Sequence, residues 1–161
     1  MDADRLAIPE VNLRAFLRLI RACEGTAKDD GYTALFGYPA PGRSFVGFGD
    51  HPRRRFSFVQ TDGAVNYTTA AGAYQIIVPT YDRLATKLRV TGFTPTIQDM
   101  MATELIAEAK AMAFVKGGDV QQAVDLCSPI WASLPASTYP QPKRTMAFAM
   151  TAYINAGGAL A

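Results

Sequence analysis

The chain has 161 residues, 49% hydrophobic and 19% charged, with a formal net charge of +2. That length suits one domain whose core needs no disulfide or metal staples, and the composition excludes intrinsic disorder as the main state. A charge of +2 is too small to indicate nucleic acid as a partner, though it fits approach to an anionic polymer.

The first residues, Met1 to Pro9, lack a basic stretch followed by an apolar one, so no secretory signal peptide is expected there. Val11, Phe16, Leu17, Ile20 and Cys23 recur at helical spacing, with Arg14, Arg18 and Arg21 assigned to the opposite, wet face. Those arginines also break the apolar run before it could span a bilayer. Pro9, Glu10 and Asn12 act as start signals and Gly25 as a stop, so the helix ends at Glu24-Gly25-Thr26. From 29 to 67 glycine, proline and aromatic residues replace the helical period. Ser44 to Phe48 and Arg55 to Gln60 read as strands, Thr61 to Gly63 as a turn and Val65 to Tyr67 as the returning strand. The run Arg53 to Arg55 reads as a solvated loop. Pro79 begins a helix to about Arg89. Thr94-Pro95 opens another, which runs through Met112 and breaks before Lys116. Asp119 caps a helix through Leu126, ended by Ser128-Pro129, and a proline-rich loop from 135 to 142 precedes a last helix ending near Gly157-Gly158. The layout is a helix, a small β-rich subdomain and a helical lobe, with a groove between lobes as the natural place for an extended ligand.

Cys23 and Cys127 lie far apart in apolar surroundings and read as buried free thiols, with a single bridge as the alternative. One histidine, with no close Cys/His pair, argues against zinc, and neither metal nor another cofactor is expected. Glu24 follows an apolar helical face and precedes Gly25. A carboxyl at the base of a cleft there, at the negative end of the helix dipole, would have its pKa raised and could serve as a general acid. A solvated or capping glutamate is the plainer reading of the same position. In Thr68 to Gln75, the small residues Ala71 and Gly72 would let backbone approach a ligand, while Tyr74 and Gln75 add a ring and an amide. A tight turn packed before a helix explains the same pattern. His51, beside Pro52, reads as a structural hydrogen-bonding residue, and Trp131 as core. Tyr139 and Gln141, in the proline-rich loop, are better placed for ligand contact.

Taken together, Glu24-Gly25-Thr26, Gly31-Tyr32, Asp50-His51-Pro52-Arg53, Ala71-Gly72 with Tyr74-Gln75, and Cys127-Ser128 with Ile130 to Pro135 and Tyr139 form an ordered set. It resembles the lambda-type phage endolysins, and the resemblance covers nearly the whole chain. Its densest block is Gly118-Asp119, Gln122-Ala123, Asp125 and Trp131 to Pro135. The family has serine, glycine and arginine where Cys23, Ala70 and Ala73 stand here.

The resemblance implies an α+β, lysozyme-like fold. A mainly helical lobe and a small β-rich subdomain would form a single catalytic domain over 1–161. It implies a lytic transglycosylase that cuts peptidoglycan between N-acetylmuramic acid and N-acetylglucosamine without water, leaving a 1,6-anhydromuramic end. The catalytic glutamate falls on Glu24, and the substrate-binding positions on Tyr32, His51, Thr69, Ala71, Gly72, Tyr74, Gln75, Tyr139 and Gln141. The implied partners are peptidoglycan glycan strands, with no nucleic acid and no stable membrane association. The enzyme would be a monomer that waits in the host cytoplasm until a holin-type lesion admits it to the periplasm and wall.

A hydrolytic muramidase would need a second carboxylate, for which Asp29, Asp30, Asp50 and Asp62 are available. The Glu-x8-Asp-x5-Thr arrangement of T4-type muramidases is missing, since Thr33 occupies the position nine residues after Glu24. A non-catalytic peptidoglycan-binding module is the alternative from another class.

Overall fold

The computed structural model describes residues 8–161, so the expectation for the leading residues falls mostly outside the described part. Helix α1, Ile8–Glu24, buries Ala15, Phe16, Leu19, Ile20 and Cys23 along one stripe. It stops where Gly25 adopts a left-handed φ of +77°. There the Thr26 amide donates to the Arg21 carbonyl at 2.8 Å and the Gly25 amide to that of Ala22 at 3.2 Å. This Schellman turn needs a left-handed residue, which glycine supplies without strain.

Two expectations about α1 change. Arg21 is buried, because the chain folds back over the last helical turn and presents carbonyls that need donors. Its guanidinium donates to the carbonyls of Thr26 at 3.0 Å and Lys28 at 2.8 Å, and lies 4.4 Å from the Tyr32 ring centre. Asn12 is not a start signal but a buried clamp. It donates to the Lys116 carbonyl at 3.0 Å and accepts from the Ala159 amide at 2.8 Å.

A 3-10 turn, Asp29–Thr33, leads into a long loop. The strand expected over Ser44 to Phe48 shrinks to one bridge between Ala34 and Ser44. Phe45 is buried while Val46 points fully into solvent, and Gly47, at φ +84°, turns the chain out of the ladder. The expected hairpin is present as β1, Phe56–Val59, antiparallel to β2, Val65–Thr68, with Phe56 opposite Thr68 and Val59 opposite Val65. The Phe58 ring packs on Phe36 at 5.2 Å between centres, which fixes the hairpin to the preceding loop.

Helix α2, Val78–Leu88, has proline in its first turn and ends at Arg89 in the left-handed region. Helix α3, Pro95–Glu108, starts at Thr94, whose side chain accepts from the Ile97 amide. It ends sooner than the apolar pattern suggests. Lys110 takes φ +59°, and the chain turns so that buried Ala111 can lead into α4, Met112–Gly117. Asp119 caps α5, Val120–Cys127, and Thr145 caps α6, Met146–Asn155, each accepting an amide of the first turn. Helix α1 packs against α6, α4 and α3, and the core is continuous through Phe16, Leu19, Ile20, Phe93, Met101 and Leu134. Cys23 and Cys127 are buried and free. Among the described residues no helix is long and apolar enough to cross a membrane.

Candidate active site

A groove of about 810 Å³ opens between the hairpin, the C-terminal end of α1 and the segment after α5. Glu24 lies in it because the Schellman turn removes the chain immediately after the helix and leaves the last side chain facing the cavity. The Thr26 hydroxyl donates to the Ala73 carbonyl, tying this helix end to the turn over residues 72–75. Among the described side chains that line the groove, Glu24 is the one carboxylate.

Its position is fixed from the far end of the chain. The Ser133 hydroxyl donates to Glu24 Oε1 at 2.6 Å. Ser133 is held in turn by the Arg144 amide, which donates to its carbonyl at 2.8 Å. Neighbouring Trp131 is buried as expected and donates from Nε1 to the Tyr74 carbonyl at 3.0 Å. Removal from water disfavours the charged carboxylate and pushes the Glu24 pKa up to about 7, while the Ser133 bond pulls weakly the other way. Burial also pushes the adjacent Cys23 thiol up to about 12, and the Glu24 charge adds to that rise. At mildly acidic pH the site therefore holds a proton on Glu24 and an inert thiol beside it.

Much of the remaining lining is apolar, supplied by Phe36, Phe58, Val59, Ile77 and Ile130. Gln75 and Gln141 line the cavity, the Gln75 Nε2 donating to the Gly72 carbonyl at 2.9 Å. Tyr139 is 45% exposed at the rim, where its hydroxyl donates to the Pro129 carbonyl at 2.7 Å. The Thr61 amide donates to the Pro140 carbonyl at 2.9 Å, so the hairpin turn meets the proline-rich loop that carries Tyr139 and Gln141.

The groove thus gathers Glu24, Gln75, Tyr139 and Gln141 from the expected residues. The others have different places. Tyr74 is 2% exposed, and its hydroxyl donates to Asp99 Oδ1 at 2.5 Å, so it presents no ring to a ligand. Tyr32 donates to the same oxygen at 2.9 Å, half-buried behind the groove. Ala71 is fully buried and bridges Leu35 and Ile76. The smallness of Gly72 serves the protein's own packing, since a Cβ there would sit 2.3 Å from Gln98 Oε1. Thr69 accepts the Val78 amide at 2.9 Å, before the first turn of α2.

His51 is a buried structural hydrogen-bonding residue, as its place beside Pro52 suggested, and does not line the groove as a substrate-binding position would. Its Nδ1 accepts from the Arg53 amide at 3.0 Å and its Nε2 lies 2.8 Å from the Ile76 carbonyl. That pairing makes Nε2 the protonated nitrogen of a neutral ring, and burial among Tyr81 and Phe93 lowers its pKa. The functional residue that sequence reading missed is Ser133. It stands inside the dense Trp131 to Pro135 block, but nothing local puts it beside Glu24.

The remaining acidic candidates are engaged elsewhere. Asp30 accepts from the Tyr38 hydroxyl, Asp50 pairs with Arg53 at 2.9 Å, and Asp62 accepts the Ala64 amide within the hairpin turn. The side chain of Asp29 is outside the described part.

Residues 14–160 match the family model described as Endolysin. The endolysin of Escherichia phage lambda is 32% identical over 151 residues, covering 90% of each chain. That of Escherichia phage P2 is 32% identical over 160 residues, covering 91% of this chain and 93% of its own. A solved structure of bacteriophage lambda lysozyme complexed with a chitohexasaccharide superposes with a TM-score of 0.82 at 31% identity, covering 94% of this chain and 97% of that one.

Proposed function

The chain belongs to the endolysin family, and on that footing we propose that it cuts the N-acetylmuramic acid–N-acetylglucosamine bond of peptidoglycan by lytic transglycosylation, with Glu24 as its acid and base. Its cleavage of the wall glycan is the shared activity of a peptidoglycan-degrading, lysozyme-like enzyme, with a relative seen holding a chitohexasaccharide. The observation that carries the finer reading is a groove with a single described carboxylate whose pKa stands near 7. Two-carboxylate hydrolysis needs a second acid facing the scissile bond.

One carboxyl suffices when the nucleophile belongs to the substrate. Protonated Glu24 gives its proton to the glycosidic oxygen as the bond to the anomeric carbon breaks. The C6 hydroxyl of the same muramic acid attacks that carbon, and the Glu24 carboxylate takes the hydroxyl proton. The acid is regenerated, and no water enters. Ser133 keeps the carboxyl aimed along this path, while Gln75, Gln141 and Tyr139 flank the sugars. In this reading residues 1–161 act as one catalytic domain and as a monomer, after a holin-type lesion releases the enzyme from the host cytoplasm to the wall.

Mass spectrometry of digested peptidoglycan tests the reaction. Anhydromuropeptides, lighter than hydrolytic fragments by a water, are expected. Reducing muramic ends would show a hydrolase instead. Binding without turnover by the unaltered protein would favour the non-catalytic alternative.

A further inference from the structure

We propose that Lys143 and Arg144 form an anion-reading lip of the groove that selects glycan strands whose muramic acid carries an acidic peptide. This rests on the reading of the groove as a peptidoglycan site and adds which form of that polymer it prefers.

The charged residues lining the cavity are Glu24 on the floor and this adjacent cationic pair on one rim, immediately before α6. Their placement is built. Arg144 donates its amide to Ser133, the residue whose hydroxyl holds Glu24, so the arginine is anchored one residue contact away from the reacting carboxyl. The positive charge of Arg144 opposes the rise of the neighbouring Cys23 pKa, so its field reaches the floor of the groove. Its guanidinium lies 4.6 Å from the Phe148 ring centre. None of its side-chain N–H groups has a hydrogen-bond partner among the described residues, so they are available to a carboxylate. Lys143 Nζ donates to the Ser137 carbonyl at 2.7 Å, which fixes the amine at the rim with two of its three donors unused.

Neither side chain has an ion-pair partner among the described residues. Sugar rings of the glycan backbone are neutral and suit the apolar lining of Phe36, Phe58 and Ile77. Two unpaired cations have no task on such a backbone. The carboxylates of the polymer lie on the peptides joined to the lactyl group of muramic acid, beside the bond being cut. The cations are solvent-exposed, so their attraction to those carboxylates is moderate and screened by salt.

The test measures binding by the full chain carrying Glu24→Gln, which stops turnover. The ligands are muramyl glycan fragments of matched length, with stem peptides or stripped of them by an amidase. The peptide-bearing ligand is expected to bind about tenfold tighter at low salt, a difference of about 1.4 kcal/mol. That preference should shrink as ionic strength rises. Adding Lys143→Gln and Arg144→Gln together should bring the ratio near one, and Lys143→Glu alone should reduce it. Because the readout is a ratio between two ligands on one protein, a general loss of affinity does not mimic the effect. Equal affinity for both ligands, or a ratio unmoved by these substitutions, overturns the proposal. Reducing ends in the digestion experiment would overturn the transglycosylase reaction and leave this ratio as it is.

Discussion

A carboxyl at the end of α1 keeps its proton near neutral pH because loss of hydration outweighs the one hydrogen bond that favours its charged form. Ser133→Ala removes that bond. The Glu24 pKa should then rise further, and the alkaline limb of the rate profile, where the general acid is lost, should move to higher pH. The maximal rate should fall as well, because the carboxyl loses its brace. A pH–rate profile with an unmoved alkaline limb would refute the role given to Ser133.

The same group makes stability depend on pH. Glu24 has a pKa of about 7 in the folded chain against an ordinary 4.5. Between these values the folded state holds more proton than the unfolded one, so stability falls as pH rises through the window and stays lower above it. At 1.36 kcal/mol per pH unit the loss reaches about 3 kcal/mol at most. Glu24→Gln lacks this ionisation. Its melting temperature relative to the parent should therefore be higher at pH 8 than at pH 4, while lytic activity disappears at both. A pH-independent difference in melting temperature would contradict the half-buried, proton-holding carboxyl.

At the scale of elements, the turn over residues 72–75 matters most, because it carries Gln75 to the groove and the Tyr74 carbonyl to Trp131. Its shape is set by Gln98 on α3, which accepts the Ala73 amide at 2.8 Å and donates to the carbonyls of Phe93 and Tyr32 at 2.8 and 3.0 Å. Gly72→Ala would strain a backbone at φ +78° and drive a methyl group into Gln98 and Phe93. We expect it to destabilise by about 2 kcal/mol or more, read as a lower midpoint in denaturant unfolding.

This turn also shows where reading the sequence stops. The ends of α1 and α5 and the hairpin were legible because Gly25, Asp119 and Thr61 to Gly63 act on residues next to them. The small residues of the turn resembled a ligand cradle because their partner, Gln98, stands 25 residues further on. Tyr74 misled for the same reason, its hydroxyl being claimed by Asp99. The isolated bridge at Ser44 kept the alternation of a strand without the neighbours that would extend it.

At the scale of the molecule, the site exists only when distant stretches meet. Glu24 and Ser133 are 109 residues apart, and the hairpin touches the proline-rich loop through Thr61 and Pro140. An apolar helical face and a following glycine marked the position of Glu24, and the family resemblance was needed to give it a role, whereas its partner depended on closure of the whole chain. That closure has a clamp remote from the groove. Asn12, 1% exposed, bonds α1 to the last turn of α4 through Lys116 and to the C-terminal tail through Ala159. Asn12→Ala leaves the Lys116 carbonyl and the Ala159 amide, both part-buried in these bonds, without that partner, at a cost of about 1 kcal/mol. For a domain of this size, each kcal/mol lowers the melting temperature by about 2–4 °C. Thermal denaturation should show that drop, and lysis by the variant should fail at a correspondingly lower temperature. Well below its melting point the variant should cleave peptidoglycan at the parental rate, since Asn12 is far from Glu24 in the fold. A variant that melts normally, or one that loses cleavage while fully folded, would show that the clamp does not hold the molecule together in this way.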